Sequence, residues 1–319
     1  MNDQTDSQSG NSIWADKNTA RLLRLRGKTF YNSDYFHHII LPLLDIPQAG
    51  NLLDVGCGYG GLALLLAQAK PDLNITAVDM ETSALKSAAQ TADHEGICNV
   101  KFEQDDAHQL KFNDNRFDTV VCQTLLTHVR DAGKVVSEMA RVLVPGGVFM
   151  AAEYITMGDW SDYDNVGDSK RDEFWRQEFY RIRNLYNQGK LVMERGDDGL
   201  GIRVPLLMTA AGLDVFDVRL NDRVLHVIPP YRHPKQQDYL ELLGTTYAED
   251  SDPKRFERMK EHIRAAGGME RDAEWLYTAV DNAAMREAIE EKELTMISSY
   301  RLYLTFARKP VYVNLNTAR

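Results

Sequence analysis

The chain has 319 residues, 44% of them apolar and 26% charged, which allows one large domain or two ordinary ones around a sizeable core. Its formal net charge of −10 repels a phosphate backbone, so nucleic acid is excluded as a general partner and a small molecule is expected instead. Cys57, Cys98 and Cys122 make neither a CxxC pair nor an even set, and no apolar run approaches the roughly 18 residues of a membrane span, so a reducing cytoplasmic setting without membrane insertion is expected.

Residues 1–15 are polar and carry no basic stretch leading into an apolar one, which reads as a frayed tail. The next segment, 16–48, reads as a helical lid in which Arg21, Arg24, Arg26 and Lys28 precede the aromatic residues Phe30, Tyr31, Tyr35 and Phe36. From 49 to 155 short β-rich runs alternate with amphipathic stretches, the pattern of a parallel sheet covered by helices. The runs are Leu52–Val55, Asn74–Val78, Val100–Glu103, Phe117–Cys122 and Val148–Glu153. Between them Leu62, Leu65, Leu66 and Ala69, then Leu85, Ala88, Ala89 and Ala92, recur at the spacing of one helix face. A third helix is expected to begin at Asp131 as its cap and to end before Pro145-Gly146-Gly147.

Residues 156–200 read as a helical insertion carrying Trp160, Trp175, Phe179 and Tyr186, and 201–230 as a return to the sheet through a short helix and one or two strands. A second helical insertion is expected over 231–293, with one helix opening at Asp252-Pro253 and another whose face holds Ala273, Leu276, Val280 and Ala284. The segment 294–309 closes the chain as a single alternating strand, Met296–Ala307.

Chemistry concentrates in Asn51–Gly61, NLLDVGCGYGG, where Gly56, Gly58, Gly60 and Gly61 crowd a sharp turn from strand into helix. Glycine accepts positive φ there and lets a ligand approach the backbone and the free N–H groups of the next helix. Gly56, Gly58 and Gly61 also satisfy GxGxxG, so the turn alone serves a dinucleotide or an adenosylmethionine equally. Asp54, two residues ahead of the first glycine, would repel a pyrophosphate and welcome an ammonium. Asp79 closes the second strand where a carboxylate can take both ribose hydroxyls, and Asp106-Ala107 follows the third strand in reach of an adenine amino group.

On these pieces the sequence resembles the class I S-adenosylmethionine-dependent methyltransferase superfamily: DVGCGYGG, AVDM, QDDAHQL, FDTVVCQTLLTHV and RVLVPGGVFMAAEY stand where that family has its five motifs. The resemblance implies an α/β fold, a doubly wound, seven-stranded, mostly parallel sheet of Rossmann-like kind with the last strand antiparallel, here bearing an N-terminal helical lid and helical insertions in its C-terminal half. It implies S-adenosyl-L-methionine as cofactor, with Asp54 and Gly56 at the methionine moiety, Cys57, Gly58 and Gly60 among the cofactor-binding residues, Asp79 on the ribose, Met80, Asp106 and Ala107 at the adenine, and Gln123 lining the cofactor beyond the fourth strand. In similar enzymes a segment like 16–48 closes over the cofactor.

Methyl transfer needs an aligned nucleophile and, for a hydroxyl or carbon acceptor, a proton acceptor. His128 and Glu153, at the carboxyl edge of the sheet, are the expected catalytic candidates. Tyr31, Tyr35, Trp160 and Trp175 are expected against the acceptor, a hydrophobic or aromatic metabolite methylated at oxygen or nitrogen, with methylation at carbon by an acidic or histidine base as the alternative. No metal is expected, because Asp159, Asp162 and Asp164 read as a polar loop. An NAD-dependent oxidoreductase and a non-catalytic adenosylmethionine-binding protein remain the readings from other classes, and the helical additions serve a homodimer interface as readily as a pocket wall.

Overall fold

In the computed structural model the described residues are 23, 30–155, 163–167, 171–248, 254–279, 282–299 and 301–311. Strands form where β-branched and large apolar residues run between turn-formers: β1 Asn51–Val55, β2 Asn74–Asp79, β3 Val100–Gln104, β4 Phe117–Gln123 and β5 Leu143–Tyr154. With β7 (Asp214–Leu220) and β10 (Leu302–Arg308) they make a seven-stranded sheet in the order β3-β2-β1-β4-β5-β10-β7. Strand β10 is antiparallel to both its neighbours, and the pairs among β1 to β5 are parallel.

Alternation along each strand divides the core in two. Leu52, Ile75, Ala77, Val121 and Met150 pack on one face with the helical stretch α1 over 33–44, α2 (Gly61–Ala69) and α3 (Thr82–Glu95). Leu53, Val55, Val78, Val120 and Phe149 pack on the other with α4 (Ala132–Val142) and α6 (Val204–Ala210). The Asp131 carboxylate caps α4 by accepting from the Lys134 amide, as its position suggested. Within α1 the turn Phe36–Ile40 is π-helical and buries Phe36 and Ile40.

The C-terminal half adds two satellite cores. Helix α5 (Glu173–Val192) brings Ile182 against Met259 and Ile263 of α8 (Arg255–Ala265) and Leu276 of α9 (Glu270–Thr278). Tyr239 and Leu243 of α7 (Pro234–Thr246) pack with Met285 of α10 (Asn282–Glu290) and with a small antiparallel sheet, β6 (Tyr163–Asp164), β9 (Met296–Ser298) and β8 (Leu225–Val227).

Two expectations are corrected here. The single closing strand Met296–Ala307 is two strands: Met296–Ser298 joins the small sheet and Leu302–Arg308 the large one, because each half buries its apolar residues in a different core. The helix expected through Ala273 and Ala284 is likewise two, with Leu276 and Met285 in separate cores. Asp252-Pro253 and Val280 lie outside the described residues.

Among the described glycines the tightest surroundings are at Gly189 of α5, where an added Cβ would overlap the His262 carbonyl oxygen of α8. Backbone cannot rotate away as a side chain can, so Gly189→Ala should cost at least about 2 kcal/mol, read as a lower urea midpoint. Gly244→Ala on α7 meets open space within 4 Å and should leave stability unchanged or raise it by up to about 1 kcal/mol.

Candidate active site

Strand β1 delivers the chain to a turn in which Gly56, Gly58 and Gly60 have φ of 70°, 51° and 80°. The Gly56 and Cys57 amides donate to the Val78 carbonyl at 2.8 and 3.0 Å, tying the turn to β2. A Cβ at Gly60 would stand 3.1 Å from the Ala88 Cβ and 3.2 Å from the Phe102 ring, so only glycine combines this φ with this approach. Asp54 is 1% exposed just ahead of the turn, and its Oδ2 has no hydrogen-bond partner. Burial, reinforced by the neighbouring Asp79 carboxylate, pushes the Asp54 carboxyl up to about 8.

Asp79 ends β2, accepting from the Gly58 amide at 2.8 Å and the Glu81 amide at 2.9 Å, with burial raising its carboxyl above the usual range. These bonds orient the carboxylate across the mouth of the turn. Met80 is 63% exposed rather than packed in a core, leaving its side chain as an apolar platform on the cavity wall. Asp106 has one carboxylate oxygen engaged by the His108 amide and Nδ1, both at 2.9 Å, and Ala107 lines the same wall. Gln123 ends β4 and accepts a 2.7 Å hydrogen bond from the Tyr31 hydroxyl.

The two expected catalytic residues part company. His128 lines the cavity with Nε2 3.1 Å from the Tyr154 hydroxyl. Glu153 is fully buried and does not line the cavity; it accepts from the amides of Leu125, Leu126 and Thr127 and from the Thr127 hydroxyl. Burial moves its carboxyl up to about 7 against those four donors. Glu153 is therefore corrected from candidate base to the anchor of the turn that presents His128.

Tyr35 is also corrected: its hydroxyl donates to the Leu220 carbonyl at 2.8 Å and it is not part of the cavity wall. Trp175 stacks on Phe179 at 5.0 Å and meets Trp275 at 5.7 Å, so it serves the α5 satellite core and not the acceptor. Trp160, Asp159 and Asp162 lie outside the described residues, and Asp164 is spent on the amides of Val166 and Gly167 and on Arg171. Sequence reasoning missed Tyr154, Asn32, Arg223 and Lys235, all on the wall; only Tyr154, next to Glu153 at a strand end, had a positional signal.

Together these groups surround a cavity of about 1280 Å³, larger than an ordinary small-ligand site and sufficient for a nucleoside cofactor beside an acceptor. The unpartnered Asp54 oxygen on its floor, with a second acid as its strongest charged neighbour, suits the ammonium and sulfonium of S-adenosylmethionine and opposes a pyrophosphate. Asp79 would take the ribose, Met80 and Ala107 the adenine.

Residues 47–187 match the family described as a methyltransferase domain. Over that span, less than half of the chain, the sequence is similar to S-adenosylmethionine-dependent methyltransferase domains. The chain is 34% identical over 142 residues to sterol 24-C-methyltransferase erg6 of Aspergillus fumigatus, a match covering 44% of this chain and 37% of that enzyme. It is 37% identical over 101 residues to the ubiquinone/menaquinone biosynthesis C-methyltransferase UbiE of Desulfotalea psychrophila, covering 32% of this chain and 40% of the relative. The chain thus matches less than half the length of these curated relatives. The YcgJ protein of Bacillus subtilis shares the fold, with a TM-score of 0.52, 17% identity, and 87% of this chain and 99% of that one covered.

Because Asp54 is neutral below about pH 8 in the free protein and must ionise to pair with a cation, S-adenosylmethionine binding should release close to one proton between about pH 6 and 7. Affinity then rises with pH through that window, approaching tenfold per unit. The sign for stability is opposite: the raised Asp54 and Glu153 carboxyls stabilise the ligand-free protein at low pH, and that stability falls progressively as pH rises above their ordinary values of 3.8 and 4.5 and is fully lost above about 7 to 8. Calorimetry in buffers of different ionisation enthalpy measures the release, and Asp54→Asn should abolish it. Proton-neutral binding to the wild type would remove Asp54 as the cation's partner.

Proposed function

We propose that the whole chain transfers a methyl group from S-adenosylmethionine to a small-molecule acceptor that gives up a proton. The observation that carries this reading is the buried, unpaired Asp54 oxygen facing one cavity with the His128–Tyr154 pair. Bound cofactor supplies an electrophilic methyl group on sulfur. Asp54 and Asp79 hold its two charged and polar ends, and the lid residue Tyr31 fixes Gln123 beside it.

The acceptor enters between the lid and α7, where Phe30, Phe36, Leu125 and Val129 give apolar wall. As the acceptor atom attacks, its proton passes to the Tyr154 oxygen while the Tyr154 hydroxyl proton moves to Nε2 of His128, separated by 3.1 Å. A neutral amine has no need of such a pair, whereas a hydroxyl or an acidified carbon does, so oxygen and carbon acceptors are favoured over nitrogen. The curated relatives named above, both C-methyltransferases, support the carbon branch.

Screening small-molecule fractions for S-adenosylhomocysteine release identifies the acceptor, and NMR of the product identifies the methylated atom. His128→Asn and Tyr154→Phe should each lower kcat by about a hundredfold or more while leaving S-adenosylmethionine affinity within a factor of two or so. Unchanged kcat in both variants would discard the proton-acceptor role and return the reading to N-methylation.

A further inference from the structure

The cavity wall also carries positive charge, at Arg223 and Lys235. Arg223, in the turn between β7 and β8, is only 7% exposed. Its Nε donates to the Tyr239 hydroxyl at 2.5 Å and its Nη1 to the Tyr31 carbonyl at 2.8 Å and the Asn32 Oδ1 at 3.4 Å. All three acceptors are neutral. Among the described residues no carboxylate comes within ion-pair distance of this guanidinium, although its Nη2 has no hydrogen-bond partner and the residue lines the cavity.

A buried cation without a counter-charge is costly, and a second one stands beside it. Lys235, on the first turn of α7 and also on the cavity wall, donates from Nζ to the same Asn32 Oδ1 at 3.0 Å. Two cations on one neutral amide oxygen repel each other unless an anion lies between them. The acids nearby are placed otherwise: Asp222 accepts from the Asn32 amide and side chain, and Asp238 and Glu241 line the wall further along α7. They would discourage a diffuse cloud of small anions, and among the described residues Arg223 and Lys235 are the arginine and lysine that line the cavity.

Resting on the methyltransferase reading above, we infer that Arg223 and Lys235 form an anion subsite that holds a carboxylate or phosphate group on the acceptor. The acceptor is then an amphiphile, with an apolar body along Phe30, Phe36, Leu125 and Val129 and an anionic end at Arg223. Anchoring has a positional consequence as well. Arg223 grips the backbone of Tyr31, whose hydroxyl grips Gln123 at the end of β4, so one tyrosine side chain links the subsite to the Gln123 wall. An acceptor held there reaches toward His128 with its other end.

The test titrates inorganic phosphate and, separately, succinate into wild-type protein saturated with S-adenosylhomocysteine, followed by calorimetry. Saturable binding of at least one probe is expected, and the preferred probe tells a phosphate end from a carboxylate end. Lys235→Met, on an exposed side chain, should weaken the preferred probe severalfold with unchanged S-adenosylhomocysteine affinity, and Arg223→Gln should weaken it by about tenfold or more. Because Arg223 also docks the lid, Arg223→Lys is included; it keeps the charge and should retain part of the affinity. No saturable binding of either probe, or binding that all three variants leave unchanged, overturns the subsite while the cofactor reading stands. Failure of S-adenosylhomocysteine itself to bind sinks the underlying methyltransferase reading instead.

Discussion

Strand β1 pairs with β2 on one side and β4 on the other, both in parallel, and every feature of the site follows from that placement. Successive crossovers leave β1 toward one edge of the sheet and β4 toward the other, so the chain cannot fill the crevice above their carboxyl ends. The glycine turn, Asp79, Gln123 and the His128 turn all open into it. Because β1 is central and covered on both faces, the acid at its end is also dry. That is why the Asp54 carboxyl is raised in the ligand-free protein.

The second constraint is the latch between the two halves of the chain. Asn221, Asp222 and Arg223 lie well outside the matched methyltransferase domain, yet they hold Phe30, Tyr31 and Asn32 through their backbone and side-chain groups. Tyr31, fixed in this way, closes on Gln123. The C-terminal half therefore contributes to the shape of the cavity without supplying the glycine turn.

Glu153 shows how a strand-end acid can be functional without touching a ligand. Three consecutive amides and a hydroxyl converge on one buried carboxyl, which ties the segment 125–127 to the end of β5 just ahead of His128 on the cavity wall. A buried carboxyl that satisfies four donors is costly to lose, because its removal would leave those donors unpaired.

The sequence by itself determined what depends on local order. Strand periodicity, the three positive-φ glycines, the Asp131 cap and the spacing of Asp54 and Asp79 about the turn are near-neighbour properties, and each is legible along the chain. The split of Met296–Ala307 into two strands was not, because both halves alternate alike and only the packing partners differ. Nor were the separate fates of His128 and Glu153, two polar residues on one sheet edge: which of them meets the cavity depends on a turn folding back over the strand. Tyr35 and Trp175 carried the same aromatic signal as Tyr31, yet only Tyr31 reaches the cavity. Arg223 and Lys235 carried no signal at all, since an arginine in a turn and a lysine at a helix start are ordinary surface residues until Asn32, some 190 positions earlier, brings them to one oxygen. Tertiary structure alone decided that, because burial and the pairing of charges belong to the assembled molecule and not to any stretch of chain.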